Sequence, residues 1–205
     1  MRTFFHTLGT RLPLPLILIV IAVLNVYWTL TLNAFGAQFE QVSGLQPLDL
    51  QNVSGVLTPQ AAFDQIVTYT AEAKALYWSF FILDNLMPPL AFGSYMLFWA
   101  YVLARSANPL FRRILASPLM FIPLGVGLFD GFENLAFVTA IANAPDPQAL
   151  NLLQIGLTFV QLKALCLFAT FGITLVLLIV LIITSVRRVI DPSRTSLQPN
   201  PATTR

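Results

Sequence analysis

The sequence predicts an all-α membrane protein: a four-transmembrane-helix bundle with both chain ends in the cytoplasm. Three observations predict it. Hydrophobic residues make up 57% of the 205-residue chain and charged residues only 10%, whereas a soluble domain carries roughly 25% charged residues. The apolar residues fall in four long blocks, and a helix needs about 20 such residues to cross a hydrocarbon core of about 30 Å. The arginines are also segregated. Arg2, Arg11, Arg105, Arg112, Arg113, Arg187, Arg188, Arg194 and Arg205 all lie in the N-terminal segment, the 104–113 loop or the C-terminal tail, where Asp191 is the one acid. Positive residues stay on the cytoplasmic side, so those three segments are expected inside.

The elements follow in order. Span one is expected over 13–33, with Pro13 and Pro15 where a helix start tolerates proline. Its charged start resembles a signal peptide, but no small-x-small cleavage site follows, so it reads as an uncleaved span. The outer segment covers 34–75. Its first part, 34–57, reads as a loop rich in Gln, Gly and Ser, and Asn52-Val53-Ser54 matches a glycosylation sequon. Thr58-Pro59 then reads as N-cap and first helical residue of an amphipathic outer helix leading into span two. That helix either lies on the outer leaflet or extends span two.

Span two is expected over 76–103, with Tyr77-Trp78 and Trp99-Tyr101 as interfacial aromatics. Span three is expected over 114–142, ending at a turn, Asn143-Ala144-Pro145-Asp146-Pro147. Span four, 152–186, is longer than a bilayer requires, so tilt or protrusion is expected. Residues 1–188 thus form the transmembrane domain, and 189–205, rich in Pro, Ser and Thr, a disordered cytoplasmic tail. Nine arginines against two lysines fit a GC-rich bacterial genome, and hence an inner (plasma) membrane.

Composition also excludes functions. Cys166 is the single cysteine, so no intramolecular disulfide forms and the residue reads as a small apolar packer. His6 is the single histidine, which rules out histidine-ligated haem and a histidine-rich metal site. No cofactor and no metal is expected. The basic residues are scattered flank anchors, so nucleic acid is not an expected partner.

The informative residues are the polar ones inside the spans, because ionisable groups there are costly and mark functional sites. They are Asp84, Asp130, Glu133 and Lys163, accompanied by Asn25, Asn85, Asn134 and Gln161. Counted from the nearest arginine at about 1.5 Å per residue, Asp84 lies ~31 Å in, Asp130 ~25 Å, Glu133 ~30 Å, Asn25 ~21 Å and Lys163 ~36 Å. The ionisable groups therefore converge on the outer third of the membrane. Asp130, Glu133 and Asn134 share a helix face at i, i+3, i+4. Gly127 and Gly131 form a small-xxx-small pair on the same side, which lets another helix approach closely. Pro88 and Pro89 remove the backbone bonds to the carbonyls of Asp84 and Asn85. The depth of Lys163 exceeds the hydrocarbon thickness, which favours snorkelling to the headgroups over inward pairing.

Asp84 followed by Pro88-Pro89, then Asp130-Gly131-Phe132-Glu133-Asn134 on the next span, resembles uncharacterised bacterial four-span membrane proteins. These carry an Asp upstream of Pro in span two and Asp-x-x-Glu-Asn in span three. The resemblance covers about 60 residues and implies the four-helix fold and a shared polar site, without an activity. The arrangement is also loosely similar to sterol-isomerase-like four-span proteins, but this chain has no intramembrane histidine.

Three functions fit. The first is a binding or transport protein with an outward-facing acidic and amide cavity formed by Asp84, Asn85, Asp130, Glu133, Asn134, Lys163 and Asn25. It would take a small ligand, lipid or cation. The second is an accessory subunit of a larger membrane complex or a homo-oligomer, with the 34–75 segment meeting a partner. The third is an intramembrane enzyme using Asp130 and Glu133 as an acid–base pair on a lipid-soluble substrate.

Overall fold

The protein is seen in a computed structural model that describes residues 7–8, 11–51, 57–106 and 108–190. His6, the 52–54 sequon and the tail from 191 onward lie outside the described residues. The helices are α1 (Leu14–Ser43), α2 (Leu48–Gln51), α3 (Pro59–Val67), α4 (Ala71–Arg105), α5 (Pro109–Ala116), α6 (Ile122–Asn143) and α7 (Gln148–Ile190), with a 3₁₀ turn at Pro118–Phe121 before α6. Among the described residues there is no strand. Four helices, α1, α4, the turn with α6, and α7, are long and apolar enough to cross a membrane. The chain is an all-α, multi-pass membrane protein built as a four-helix bundle.

The helix ends correct several boundaries. α1 continues ten residues beyond the expected end at 33. It stops at Gly44, whose left-handed backbone (φ 71°) returns its N–H to the Glu40 carbonyl, the stop that a glycine at this position provides. The extra turns are held by packing: Phe35 stacks on Phe80 with ring centroids 3.8 Å apart, and Phe39 meets the Tyr77 ring edge-on at 5.2 Å. Much of the supposed loop is thus helix. α3 begins where expected, with the Thr58 hydroxyl accepting the Ala61 N–H. It is a separate helix, broken from α4 at residues 68–70, and it buries Ala62 and Ile66 completely while packing on α7. Residues 71–75 do extend span two, capped by the Thr70 side chain. At the other end, the chain 109–117 is no part of span three, which begins at Pro118. Ser117 precedes a proline and is extended (ψ 165°), as the clash with the proline ring demands, so α5 is its own short helix. α7 runs to Ile190, past the expected tail boundary at 188.

In packing, α4 and α6 form the central pair. α1 lies against α4 and α7 against α6. One apolar core, at the end holding α2 and α3, joins Phe35, Phe39, Ile66, Tyr77, Phe137 and Leu153. A second, at the end carrying Arg105, Arg112 and Arg113, joins Ile17, Phe98, Trp99, Leu103 and Leu177. These are called the far end and the arginine end below. Two aromatic expectations are corrected: Tyr77 and Trp99 are buried core residues, whereas Trp78 is exposed. An exposed apolar belt runs from Leu16 to Leu30 on α1, from Trp78 to Leu90 on α4 and from Ile155 to Val186 on α7.

α4 runs unbroken through Pro88 and Pro89, and α6 presses its glycine face against this stretch. A Cβ added at Gly127 would lie 2.9 Å from the Pro89 backbone nitrogen and 3.0 Å from its Cα. A Cβ at Gly131 would lie 3.1 Å from the Asn85 side-chain oxygen. A backbone contact cannot rotate away, so Gly127→Ala is expected to cost about 1–3 kcal/mol, as overpacking does. Gly172 on α7 has nothing within 4 Å of an added Cβ, so Gly172→Ala is expected to be neutral or to stabilise by about 0.5–1 kcal/mol. Thermal unfolding of both variants in detergent checks the contrast; equal effects would overturn it.

Candidate functional site

The glycine face fixes the site. Gly127, Gly131 and Asn134 follow at i, i+4, i+7, so the contact that seats Gly131 on Asn85 also carries Asn134 toward α4. The Asn134 amide donates to the Asp84 carboxylate across the helix pair. It also donates to Asp130 Oδ2 at 3.1 Å, one turn back on α6. On the opposite side of Asp130, Lys163 of α7 donates from Nζ to Oδ1 at 3.0 Å. The same ammonium pairs with Glu133 Oε2. The result is one chain of contacts through three helices: Asp84, Asn134, Asp130, Lys163, Glu133.

The four members on α4 and α6 are deeply buried. Asp84 is 4% exposed, Asp130 6%, Glu133 1% and Asn134 5%. The Lys163 side chain keeps 24% exposure, making it the member nearest the surface. The structure therefore corrects the snorkelling expectation. Lys163 turns inward because two buried carboxylates lie within its reach, and their attraction outweighs hydration of the ammonium in a medium of low dielectric. Distance along a helix sets where a lysine starts and not where its long side chain ends. The cluster sits about 9 Å inside the far edge of the apolar belt on α4, from Trp78 to Asp84, and about 12 Å inside it on α7, from Ile155 to Lys163.

Two expected members behave differently. Asn85 is on the α4–α6 seam, but its amide donates to the Phe81 carbonyl of its own helix at 2.7 Å. Asn25 lies outside the site. Its amide donates to the Ile21 carbonyl at 2.7 Å, and its oxygen accepts from the Tyr95 hydroxyl at 3.4 Å. Tyr95 is eleven residues beyond Asp84 on α4, or about 16 Å toward the arginine end. Counting from Arg11 exaggerated the depth of Asn25, because α1 begins only at Leu14. Gln161 is exposed. Toward the arginine end the spans also hold a polar tie: the Trp99 indole donates to Thr174 Oγ1 at 2.8 Å. The helical stripe Tyr95, Trp99, Leu103 could have shown that Trp99 faces inward.

Among the described residues, no group of three or more His, Cys, Asp or Glu side chains is arranged to hold a metal ion. The ammonium of Lys163 itself lies between Asp130 and Glu133. An open groove of about 410 Å³ lies at the far end between α1 and α4, with Gln38, Gln41, Glu72 and Ser79 in its wall. It contains none of the expected site residues. Cys166 packs against α6, with its Sγ 2.9 Å from where a Gly125 Cβ would be, in keeping with a small packing role.

No protein-family model, no curated protein and no solved structure matches this chain.

Removing one partner of a buried ion pair costs about 3–5 kcal/mol, and the partial exposure of Lys163 lowers the figure to about 2–3 kcal/mol. Lys163→Met is expected to lower thermal stability in detergent by that amount, and adding Glu133→Gln is expected to recover part of it. An unchanged melting temperature for Lys163→Met would mean the ammonium does not hold the acids in solution.

Proposed function

We propose that this chain is a bacterial inner (plasma) membrane protein, with N and C termini cytoplasmic, of a binding or transport type. Its acid–amide–lysine network takes a small ligand, lipid or cation. The observation that carries this reading is the imbalance of the buried groups. The linked network contains three carboxylates, one ammonium and one neutral amide. A network that served packing alone gains nothing from surplus acids, since burying charge is costly. A network that exchanges cations uses them.

In this reading Lys163 is a tethered cation that a ligand displaces. A cationic or hydrogen-bond-donating group approaches from its partly exposed side, takes the place of Nζ between Asp130 and Glu133, and releases the lysine outward. Asn134 keeps Asp84 and Asp130 at a fixed spacing during the exchange. Interior acids at membrane depth serve substrate and ion pathways in this way. The acid–base enzyme reading has less support, because one ammonium holds both Asp130 and Glu133. The accessory-subunit reading rests on the exposed apolar faces of α1 and α7, which lipid covers equally well.

The orientation rests on the arginine segregation. A cytoplasmic reporter is expected to be active after residue 188 and within 105–112, and a periplasmic one within 40–56. An external 105–112 loop would overturn it.

The function is tested at Asp84, whose contact with Asn134 is to a neutral group. Asp84→Asn keeps shape and hydrogen bonding and removes charge. Two measurements apply: native mass spectrometry of the protein from mild detergent, and thermal shift with sodium or a decyltrimethylammonium probe. A ligand at 100 times its Kd stabilises by about 2.7 kcal/mol. The expected result is a bound species or probe-induced stabilisation in wild type, lost in Asp84→Asn with melting temperature preserved. A large drop in melting temperature, with no bound species and no probe response in either protein, would leave only a structural network.

A further inference from the structure

We propose that the basic face of α5, with Arg105 beside it, binds the anionic headgroup of a phospholipid at the arginine end of the bundle. This site is separate from the carboxylate network and does not depend on the function assigned there.

The helix is built for a surface. Asn108 caps it by accepting the Leu110 N–H at 2.9 Å, Pro109 fits its first turn, and the Ser117-Pro118 break ends it. None of its residues is buried. Phe111, Ile114 and Leu115, at i, i+3, i+4, pack against the inner core beside Ile17, Trp99 and Leu103. Arg112 and Arg113 project from the other side and are exposed. Leu110 (57%) and Leu119 (50%) are exposed large apolar residues next to them. A short helix with an apolar face on the bundle and a basic face outward is the form of an interfacial helix.

The charge is unbalanced. The salt bridges found among the described residues both belong to Lys163, so Arg112 and Arg113 pair with no carboxylate there. Of the nine acids of the chain, eight are Glu40, Asp49, Asp64, Glu72, Asp84, Asp130, Glu133 and Asp146. All eight belong to the carboxylate network or the far end. The ninth, Asp191, lies outside the described residues. Among the described residues, then, no carboxylate neutralises the basic face of α5. Arg105 is preset next to it: its guanidinium sits 3.8 Å from the Tyr101 ring centroid and donates to the Tyr101 carbonyl at 3.5 Å. Guanidinium groups bind phosphate oxygens with two parallel N–H donors. The occupant that supplies phosphate at this level, with acyl chains for Leu110 and Leu119, is an anionic phospholipid.

The test titrates the full-length protein in detergent with phosphatidylglycerol or phosphatidylcholine of matched chains, counting lipid adducts by native mass spectrometry. Each arginine near an anionic surface contributes about 1 kcal/mol, or roughly fivefold in affinity. Wild type is expected to prefer phosphatidylglycerol. The Arg112→Gln, Arg113→Gln double variant is expected to bind it roughly 25-fold more weakly, with phosphatidylcholine binding unchanged. Arg11→Gln serves as the control and is expected to keep the preference. The wild-type preference should also fall as salt is raised to about 0.5 M, which needs no variant. Equal binding of the two lipids by wild type, or an undiminished preference in the double variant, would overturn the proposal.

Discussion

The close approach of α6 to the proline-bearing stretch of α4 is the constraint on which the rest of the structure depends. In lipid there is no hydrophobic gain in bringing two apolar helices together, so packing and interhelical hydrogen bonds must supply the attraction. Gly127 against the Pro89 backbone and Gly131 against Asn85 let the two helices come near enough for Asn134 to reach Asp84. The prolines take part in this. They remove from α4 the backbone donors to the Asp84 and Asn85 carbonyls at the seam, while the Asn85 amide bonds back to the Phe81 carbonyl of its own helix.

On that seam the protein holds groups that are costly to bury. Three acids, an amide and an ammonium are linked across α4, α6 and α7 by contacts that leave Lys163 nearest the surface. Charges drawn from water repay their desolvation only through close opposite charges and donors. Asn134 and Lys163 are among the donors here, the latter from a helix on the periphery of the central pair. The ammonium that joins Asp130 and Glu133 is also the member nearest the surface.

Other polar contacts tie the bundle at separate levels, so the site is not its sole anchor. At the far end the Leu48 N–H donates to the Tyr77 hydroxyl at 2.9 Å, fastening α2 onto α4. Below the site, Tyr95 meets Asn25 of α1, and near the arginine end Trp99 meets Thr174 of α7. These ties join the outer helices α1 and α7 to α4, and a change confined to the carboxylates leaves them in place.

The sequence by itself determined the helical class, the four spans and the shared face of Asp130, Glu133 and Asn134. These depend on composition and on helical period, which are local properties of the chain. It also identified Asp84 as their partner span and the glycine pair as a close-packing face. Tertiary structure alone decided the rest. It ran α1 on to Ser43, because Phe35 and Phe39 find Phe80 and Tyr77. It separated α5 from span three, because Ser117 takes an extended backbone before Pro118. It removed Asn25 from the site and buried Trp99, because azimuth and true helix start, not depth counted from an arginine, set which side chains meet. It turned Lys163 inward, because a long flexible side chain goes where close opposite charge lies, and that charge is contributed by another helix.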